Sequence, residues 1–495
     1  MPRHKAVRVT QSHTMAFQVG VTDCLSAAPP TLPADASVEA AVQAMREASA
    51  SSVLITDGEH RVAGIVTEQD VVRRIAFQSA APTPVAQVMT APVQVIRQDD
   101  LLFHAVARMR RAGLRHMPVV DHDDRAVGVL TLDAALAAAT PQLMAQIERL
   151  TGPATVAGLT AVRAAQIDVA AELLDDGVPA PDIQGLLTHI NNDVYRRVAE
   201  HCVASLDGEG LGPPPRPFCL LVLGSGGRGE NYLNPDQDNG LIIADYPDDE
   251  HDRIDGYFRA FAERLTKTMD GVGMPLCKGN VMITNPVWRK SLSQWTGQLD
   301  YWFRRRNLVT LRLGDIFFDF RPIYGAHHLG VALREQLTRR LQGNRSFVRT
   351  MYEKDESFGV GLGLFNRFIV ERHVAEHRGE LNLKINATLP LVDATRALSL
   401  LHGIAETSTL GRIAALNAGG VLSDNEADYL TGAFRHITGL MMRSQMAQQR
   451  AGRKISNYVH PDDLSPRERD ILVDSLKAIR SLRERLHAEL TGDLF

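Results

Sequence analysis

The sequence predicts an α+β chain of several domains, and three observations predict it. A short β-rich run, Cys219 to Leu223, enters a glycine-rich turn, and a second apolar run follows behind two aspartates. Residues 32–70 and 96–134 repeat one another at a constant offset of 64. From 141 to about 201, and again from 331 to 495, apolar residues recur at helical spacing.

Composition bounds the function. With 495 residues, 44% hydrophobic and 23% charged, the chain is long enough for three or four domains that each bury a core. A formal charge of −4 leaves no basic footprint of the kind that binding to long RNA or DNA requires, so small or protein partners are expected. The four cysteines, Cys24, Cys202, Cys219 and Cys277, lie far apart, which gives neither a zinc site nor a disulfide framework and fits a reducing cytoplasm. No apolar stretch approaches membrane-spanning length, and the basic start leads into polar residues, so a soluble, unexported protein is expected, with no membrane partner.

Residues 1–20 read as an arm, with Ala16 to Val19 able to add an edge strand. The repeat comes next. Met45 pairs with Met109, Asp57 with Asp121, Gly64 with Gly128 and Thr67 with Thr131. Each copy holds an amphipathic helix (Val38, Ala41, Val42, Met45; then Leu102, Val106, Met109), a strand (SVLIT; HMPVV), an acidic turn and a second strand (VAGIVT; AVGVLT). Over residues 21–140, carried most specifically by GIVTEQD at 64–70 and GLRHMPVVD at 113–121, this pattern resembles a tandem CBS pair. The resemblance implies that Thr67 and Asp70 hold the ribose and phosphate of an adenine nucleotide. In the second copy Thr131 is kept, but Ala134 stands at the acid's position and Asp133 is one residue early, which argues against a second site of the same kind. His116 and Met117 read as core. The other reading is a pair that only dimerises or spaces the chain.

Residues 141–205 read as a helical connector, with Leu143, Ile147 and Leu150 on one face and a second helix from near Ala180 (Ile183, Leu186, Leu187, Ile190); it either transmits a signal or only packs. The stiff GEGLGPPPRP loop then opens a core over 206–330. Gly224, Gly226, Gly227 and Gly229 permit backbone conformations closed to other residues and leave N–H groups to approach a phosphate, beside the Ser225 hydroxyl. If Asp236 to Ile243 is extended, Asp236 and Asp238 face one spot, where a cation relieves their repulsion and Mg²⁺ with substrate phosphates fits. Gly224 to Gly229 also spells G-x-G-x-x-G, with Asp245 near a ribose acid's place, but Glu230 to Gly240 contains Asn234, Pro235, Asn239 and Gly240 and is too short and broken for the required helix. No G-x-x-x-x-G-K-[ST] occurs. Further along, a helix is expected over Asp252–Met269, a strand in KGNVMITNP, and a partner strand in IFFDFRP, where Asp319 alternates with Phe318 and Phe320.

GSGGRGE followed by DQDN is similar to the nucleotidyltransferase family related to protein-PII uridylyltransferases, within the polymerase-β-like superfamily. The resemblance implies a polymerase-β-like core with a mixed sheet, and Mg²⁺-dependent transfer of a nucleotide from an NTP donor to a protein or small-molecule acceptor. Two Mg²⁺ ions would be held by Asp236, Asp238 and a third carboxylate on a neighbouring strand, for which Asp319 is chosen, with Asp315 and Asp245 as alternatives; the other reading of Asp319 is a salt bridge with Arg321 or a nearby lysine. Gly224, Ser225 and Gly227 would hold phosphates and Arg228 neutralise them. Asn285 and Arg289 are implied nucleotide contacts. Asn239 departs from the wider superfamily, which prefers an apolar residue there.

The run YWFRRRN either holds phosphates or is a solvated helix face, and the doublet His327–His328 reads as surface. Residues 331–495 are expected to form a helical bundle that binds substrate. Ser423 with Glu426 and Ser465 with Glu468 are capping boxes, the second with Pro466 at the first helical position. Two inward stripes follow, Leu430, Phe434, Ile437, Met441 and Leu472, Leu476, Ile479, Leu486. GELNLKINATLPLVDATRAL resembles a segment of the same family, and Lys384 and Arg396 either close the cleft over nucleotide or decorate the bundle. A homodimer follows from the CBS resemblance. The alternatives are a non-catalytic nucleotide-sensing signal-transduction protein and a transferase that modifies a protein or tRNA end; UTP and ATP both remain open as donors.

Overall fold

The computed structural model describes residues 19–25, 29–71, 83–138, 155–175, 177–305, 308–355 and 359–491, in two compact units divided at Pro153/Ala154. Most of the expected arm, and Leu143, Ile147 and Leu150, lie outside the described residues.

The first unit is built twice from one plan. The first copy holds β1 (Thr31–Pro33), α1 (Val38–Ala48), β2 (Ser52–Thr56) and β3 (Val62–Thr67). The second holds β4 (Ile96–Arg97), α2 (Leu102–Ala112), β5 (His116–Val120) and β6 (Ala126–Thr131), followed by α3 (Leu132–Ala138). From the helix onward the bounds of the second copy are those of the first moved by 64. In both sheets the first strand pairs parallel and the second pair is antiparallel, with the same irregularity at Ile55/Thr56 and at Val119/Val120. Ser37 caps α1 by accepting the Ala40 N–H at 3.1 Å, and Val38, Ala41 and Met45 pack on Val53, Ile55 and Val66. Met117 is fully buried, while His116 meets the Ser51 hydroxyl at 2.7 Å.

The second unit begins with two long helices, α4 (Val156–Asp175) and α5 (Ala180–Leu206). They were expected to be a connector, yet they fall inside this unit, and α5 supplies part of its cleft. A four-stranded mixed sheet follows, made of β7 (Phe218–Val222), β8 (Asn239–Ile243), β9 (Arg289–Ser291) and β10 (Arg321–Gly325) in the order β10-β7-β8-β9. β7 pairs antiparallel with both neighbours, and β8 with β9 is parallel. The two central strands are buried along their whole length, as continuous apolar runs require. Between strands lie α6 (His251–Gly271), α7 (Leu292–Arg305) and α8 (Leu308–Phe317). Trp295 stacks on Phe317 with ring centroids 4.4 Å apart and donates its indole N–H to Leu241 O at 2.9 Å, which ties α7 and α8 to β8. Such a pair adds about 0.5–1.5 kcal/mol beyond its burial.

Two expected strands are corrected. KGNVMITNP folds as consecutive turns because Asn239 draws Ile283 N into its side chain at 2.9 Å and Asn285 caps Val287 N at 3.0 Å; the strand is β9, just after it. IFFDFRP is not one strand: α8 runs to Phe317, and Asp319 stands in the turn before β10.

The rest is mainly helical: α9 (His327–Leu341), α10 (Arg345–Asp355), α11 (Leu389–Leu401), α12 (Thr409–Ala418), α13 (Asp424–Arg450) and α14 (Pro466–Thr491), with a small β11 (Leu381–Asn382) and β12 (Tyr458–Val459) pair. Both capping boxes form at the starts of α13 and α14, and both apolar stripes enter one core.

Candidate active site

The site forms where β7 ends and β8 begins. After Leu223 the chain turns at Gly224, whose φ of +55° side chains rarely adopt, makes one helical turn over Gly224–Arg228, and leaves through Gly229 at φ +78°. Gly227 is required for a different reason. A Cβ there would stand 1.5 Å from Asp319 O, a backbone atom with no freedom to withdraw. Gly227→Ala is therefore expected to displace the turn, with a destabilisation above the roughly 1 kcal/mol of an ordinary substitution, read as a lowered thermal midpoint.

The approach to β8 is extended, so its side chains alternate. Gln237 and Asn239 are fully buried, and Asp236 and Asp238 face the other way. The buried pair anchors the acidic pair. Gln237 donates its amide to Met274 O at 2.8 Å and Thr266 O at 3.1 Å, while Asn239 donates to the Tyr195 hydroxyl at 3.3 Å and accepts Ile283 N–H. This accounts for a polar residue at 239: it joins α5 to the turn before β9. Asp236, Asp238 and Cys277 present ligand atoms within 4.8 Å of one another. Burial, then the charge of Asp236, raise the Asp238 carboxyl to about 6, against lowering contacts from Cys277, Lys384 and Arg228. Oδ1 of Asp238 is buried without a hydrogen-bond partner.

That orphaned oxygen beside a second carboxylate is what a hard cation satisfies, so the residues fit Mg²⁺ shared with substrate oxygens. Cys277 adds little, since burial and Asp238 push its thiol up to about 12 and keep it protonated. Ser225 and Gly226 line the same cleft as Asp236 and Asp238, and Ser225 Oγ donates to Asn231 Oδ1 at 3.2 Å. Asn192 and Tyr195 of α5 and Asn231 complete its wall. Sequence reasoning missed these three, although the unusual density of polar residues on an otherwise apolar α5 face (Thr188, Asn191, Asn192, Tyr195) was a signal; all four are buried.

Several predicted residues are not there. Asp319 is fully buried, with Oδ1 on Arg412 Nη2 at 2.5 Å, Oδ2 on Arg228 Nη1 at 2.8 Å, and Arg396 Nη1 at 3.6 Å. A carboxylate engaged by three guanidinium groups has no place for a cation, so it is not the third metal ligand. Neither alternative joins the cluster: Asp245 caps α7 by accepting Ser293 N at 2.8 Å, and Asp315 belongs to the arginine-rich side, where its carbonyl accepts Arg396. Arg228 is likewise committed, to Asp319 and to Glu230 at 2.6 Å, instead of being free for phosphate. Arg396 is buried on Asp393 and does not close a cleft. Asn285 holds its own turn, and Arg289 pairs with Asp255 at 3.1 Å. Lys384 is exposed, and its charge reaches Asp238. The helical domain docks directly on the glycine turn: Thr407 Oγ1 donates to Gly227 O at 3.0 Å, and Glu230 Oε1 accepts Thr409 N at 2.7 Å.

In the first unit, Thr67 and Asp70 cap the short helix after β3, the hydroxyl donating to Asp70 Oδ2 at 2.8 Å. Thr131 accepts Ala134 N at 3.3 Å.

A glycine turn and a carboxylate pair stand at adjoining strand ends of an α+β domain, with a helical domain packed on the turn. Residues 164–308 match the family described as Putative nucleotidyltransferase DUF294, and residues 345–490 match the Putative nucleotidyltransferase substrate binding domain. Residues 21–77 and 85–140 each match the CBS domain. The chain belongs to this nucleotidyltransferase family and carries a tandem CBS pair ahead of it.

Among curated proteins it is 33% identical over 118 residues to an uncharacterised protein of Methanopyrus kandleri, covering 23% of this chain and 59% of that one. It is 29% identical over 111 residues to the carnitine transport ATP-binding protein OpuCA of Listeria monocytogenes, covering 22% of this chain and 27% of that one. Among solved structures, a CBS domain protein from Pyrobaculum aerophilum complexed with AMP matches at 21% identity and TM-score 0.24, over 26% of this chain and 98% of that one. A protein from Burkholderia ambifaria described as a putative signal-transduction protein with CBS domains matches at 28% identity and TM-score 0.22, over 24% of this chain and 91% of that one. Among the described residues no helix is long and apolar enough to cross a membrane.

Proposed function

We propose that the second unit transfers a nucleoside monophosphate from an NTP to an acceptor hydroxyl, and that the CBS pair adjusts this activity on binding an adenine nucleotide. The observation that carries the first part is that Ser225, Gly226, Asp236 and Asp238 line one cleft. The Ser225 hydroxyl and the N–H groups at the start of the glycine turn hold the outgoing phosphates; Gly227, expected among the phosphate contacts, donates its N–H to Leu223 O at 3.2 Å, and Gly229 donates to Gly226 O at 3.3 Å. Asp236 and Asp238 hold Mg²⁺, which when bound neutralises the triphosphate and acidifies the attacking hydroxyl. The acceptor oxygen forms a bond to the α-phosphorus as the bond to the bridging oxygen breaks; pyrophosphate leaves, and the hydroxyl proton passes to solvent past the exposed Asp236. Lys384 lies near enough to lower the pKa of Asp238 and adds positive charge on the triphosphate side. Purified protein supplied with each NTP, Mg²⁺ and host lysate should release pyrophosphate with one donor in preference; no release with any donor defeats the reading. The same reading takes the acceptor to be a protein or a small molecule, the donor choice to be uridylyltransferase-like, and the protein to be a cytoplasmic homodimer.

Regulation rests on Thr67 and Asp70, which stand together at the end of β3. A hydroxyl and a carboxylate so placed meet a ribose and its phosphate-bearing edge. Replacing both by Ala is expected to weaken AMP or ATP binding to the first unit at least about tenfold, measured by calorimetry, the scale of losing one or two hydrogen bonds to a charged ligand. It should also remove any AMP dependence of transfer, since a ligand shifts only an equilibrium whose states it binds unequally. Transfer that responds to AMP as strongly in the double variant would refute this part. The second reading, a sensor without turnover, predicts nucleotide binding with no pyrophosphate; the buried, unsatisfied Oδ1 of Asp238 disfavours it.

A further inference from the structure

A second cavity, of about 610 Å³, opens beside β9, at the edge of the sheet and at the other end of β8 from the aspartates. Ile243 lines it, and an extended strand separates Ile243 from Asp238 by roughly 17 Å. Its volume lies within the range of small-molecule sites.

The charges in its wall do not cancel. Arg289 is satisfied, with Asp255 at 3.1 Å and Ile283 O at 2.8 Å. Lys290 is half-buried, and among the described residues it makes no ion pair; burial and the neighbouring Arg289 both lower its pKa. An ammonium so placed is stabilised by an anion that enters the cavity. Two tyrosines supply flat walls. Tyr246 is held by its hydroxyl on His251 Nδ1 at 3.2 Å, and Tyr301 is 46% exposed.

The remaining side of the cavity is one face of α7, where Gln294, Gln298 and Tyr301 stand four and three residues apart. Gln294 uses its Oε1 to accept Ser291 N at 3.0 Å, and its amide N–H groups have no hydrogen-bond partner among the described residues. Gln298 uses its Nε2 to donate to Val287 O at 3.1 Å, and its carbonyl has no hydrogen-bond partner among the described residues. One turn of helix therefore offers a donor beside an acceptor, the complement of the polar edge of a nucleobase.

We propose that this cavity is a second nucleotide site, which takes a nucleoside monophosphate: Lys290 receives the phosphate, Tyr246 and Tyr301 flank the base, and Gln294 and Gln298 read its edge. It is separate from the cleft at Asp236 and Asp238 and needs no cation.

The test is calorimetric titration of the full chain with uridine 5′-monophosphate in EDTA, which removes the cation that the first cleft requires and avoids the adenine nucleotide expected at Thr67 and Asp70. Binding is expected at one site, at least tenfold weaker in Lys290→Met and retained in Lys290→Arg. Gln298→Glu, which sets a carboxylate against the base and phosphate, is expected to weaken it as well and serves if Lys290→Met does not fold. Asp238→Asn and the Thr67→Ala, Asp70→Ala pair should bind as the native chain does. Undiminished binding in both Lys290→Met and Gln298→Glu, loss in Asp238→Asn, or no binding of UMP, CMP or GMP at millimolar concentration would each overturn the proposal.

Discussion

Asp238→Asn is expected to abolish nucleotidyl transfer and, at the same time, to stabilise the metal-free protein. Activity should fall by at least roughly 10²–10³-fold, the scale of losing one preorganised charge at a reacting phosphate. The stability effect follows from the carboxyl itself. Its pKa is about 6 in the fold, raised first by burial, against about 3.9 in an unfolded chain. Between these values the folded protein holds a proton that the unfolded chain has lost, so stability declines as pH rises from about 4 to about 6 and stays lower above. At neutral pH the ionised group thus weakens the fold by up to about 3 kcal/mol, and the amide removes that charge. Thermal melts in EDTA should show the variant above native at pH 7.5 and equal to it near pH 4. Addition of Mg²⁺ should close the gap by raising only the native midpoint. A variant that melts lower than native at pH 7.5, or that retains transfer, contradicts the role given to Asp238.

Asp319→Asn is expected to do the opposite. It removes the counter-charge of Arg228, Arg396 and Arg412 at a fully buried point where the sheet, the glycine turn and the helical domain meet. Leaving buried charges uncompensated costs about 3–5 kcal/mol, so expression or the denaturation midpoint should drop sharply. The three guanidinium groups, led by Arg412, overcome the penalty of burial and hold the Asp319 carboxyl well below the usual carboxylate range. A depressed pKa contributes stability above the unfolded value, so this term should be complete at neutral pH and fade as pH falls below about 4. A stable, folded Asp319→Asn that has lost only activity would restore it to the catalytic set.

The contrast between these two aspartates shows what the sequence makes legible. Asp236 and Asp238 were readable because spacing by two on an extended segment depends only on local geometry, and the segment is extended. The repeat was readable for a like reason: the helices and the strands that follow them keep the offset of 64. So were the capping boxes, in which Ser423 with Glu426 and Ser465 with Glu468 close on themselves. Asp319 was misread because alternation with Phe318 and Phe320 was taken for a strand, whereas both aromatics are buried by a turn that follows α8. Its partners come from residues 91, 77 and 93 positions away, a non-local pattern that no spacing rule encodes. Arg228 was misread with it, since an arginine in a phosphate-cradling turn looks free until Glu230 and Asp319 are seen to hold it. The α5 contribution was hidden by an assumption about domains: a helix read as a connector is not searched for cleft residues, yet it brings Asn192 and Tyr195 to the aspartates.

The central claim is transfer of a nucleotidyl group by the Asp236–Asp238 pair. Parallel incubations with α-labelled and γ-labelled NTP, Mg²⁺ and host lysate, for native protein and Asp236→Ala, test it most directly. The α label is expected to enter an acceptor, the γ label to leave as pyrophosphate, and both signals to vanish in Asp236→Ala. Label transferred from the γ position, or α label that persists in Asp236→Ala, would contradict it.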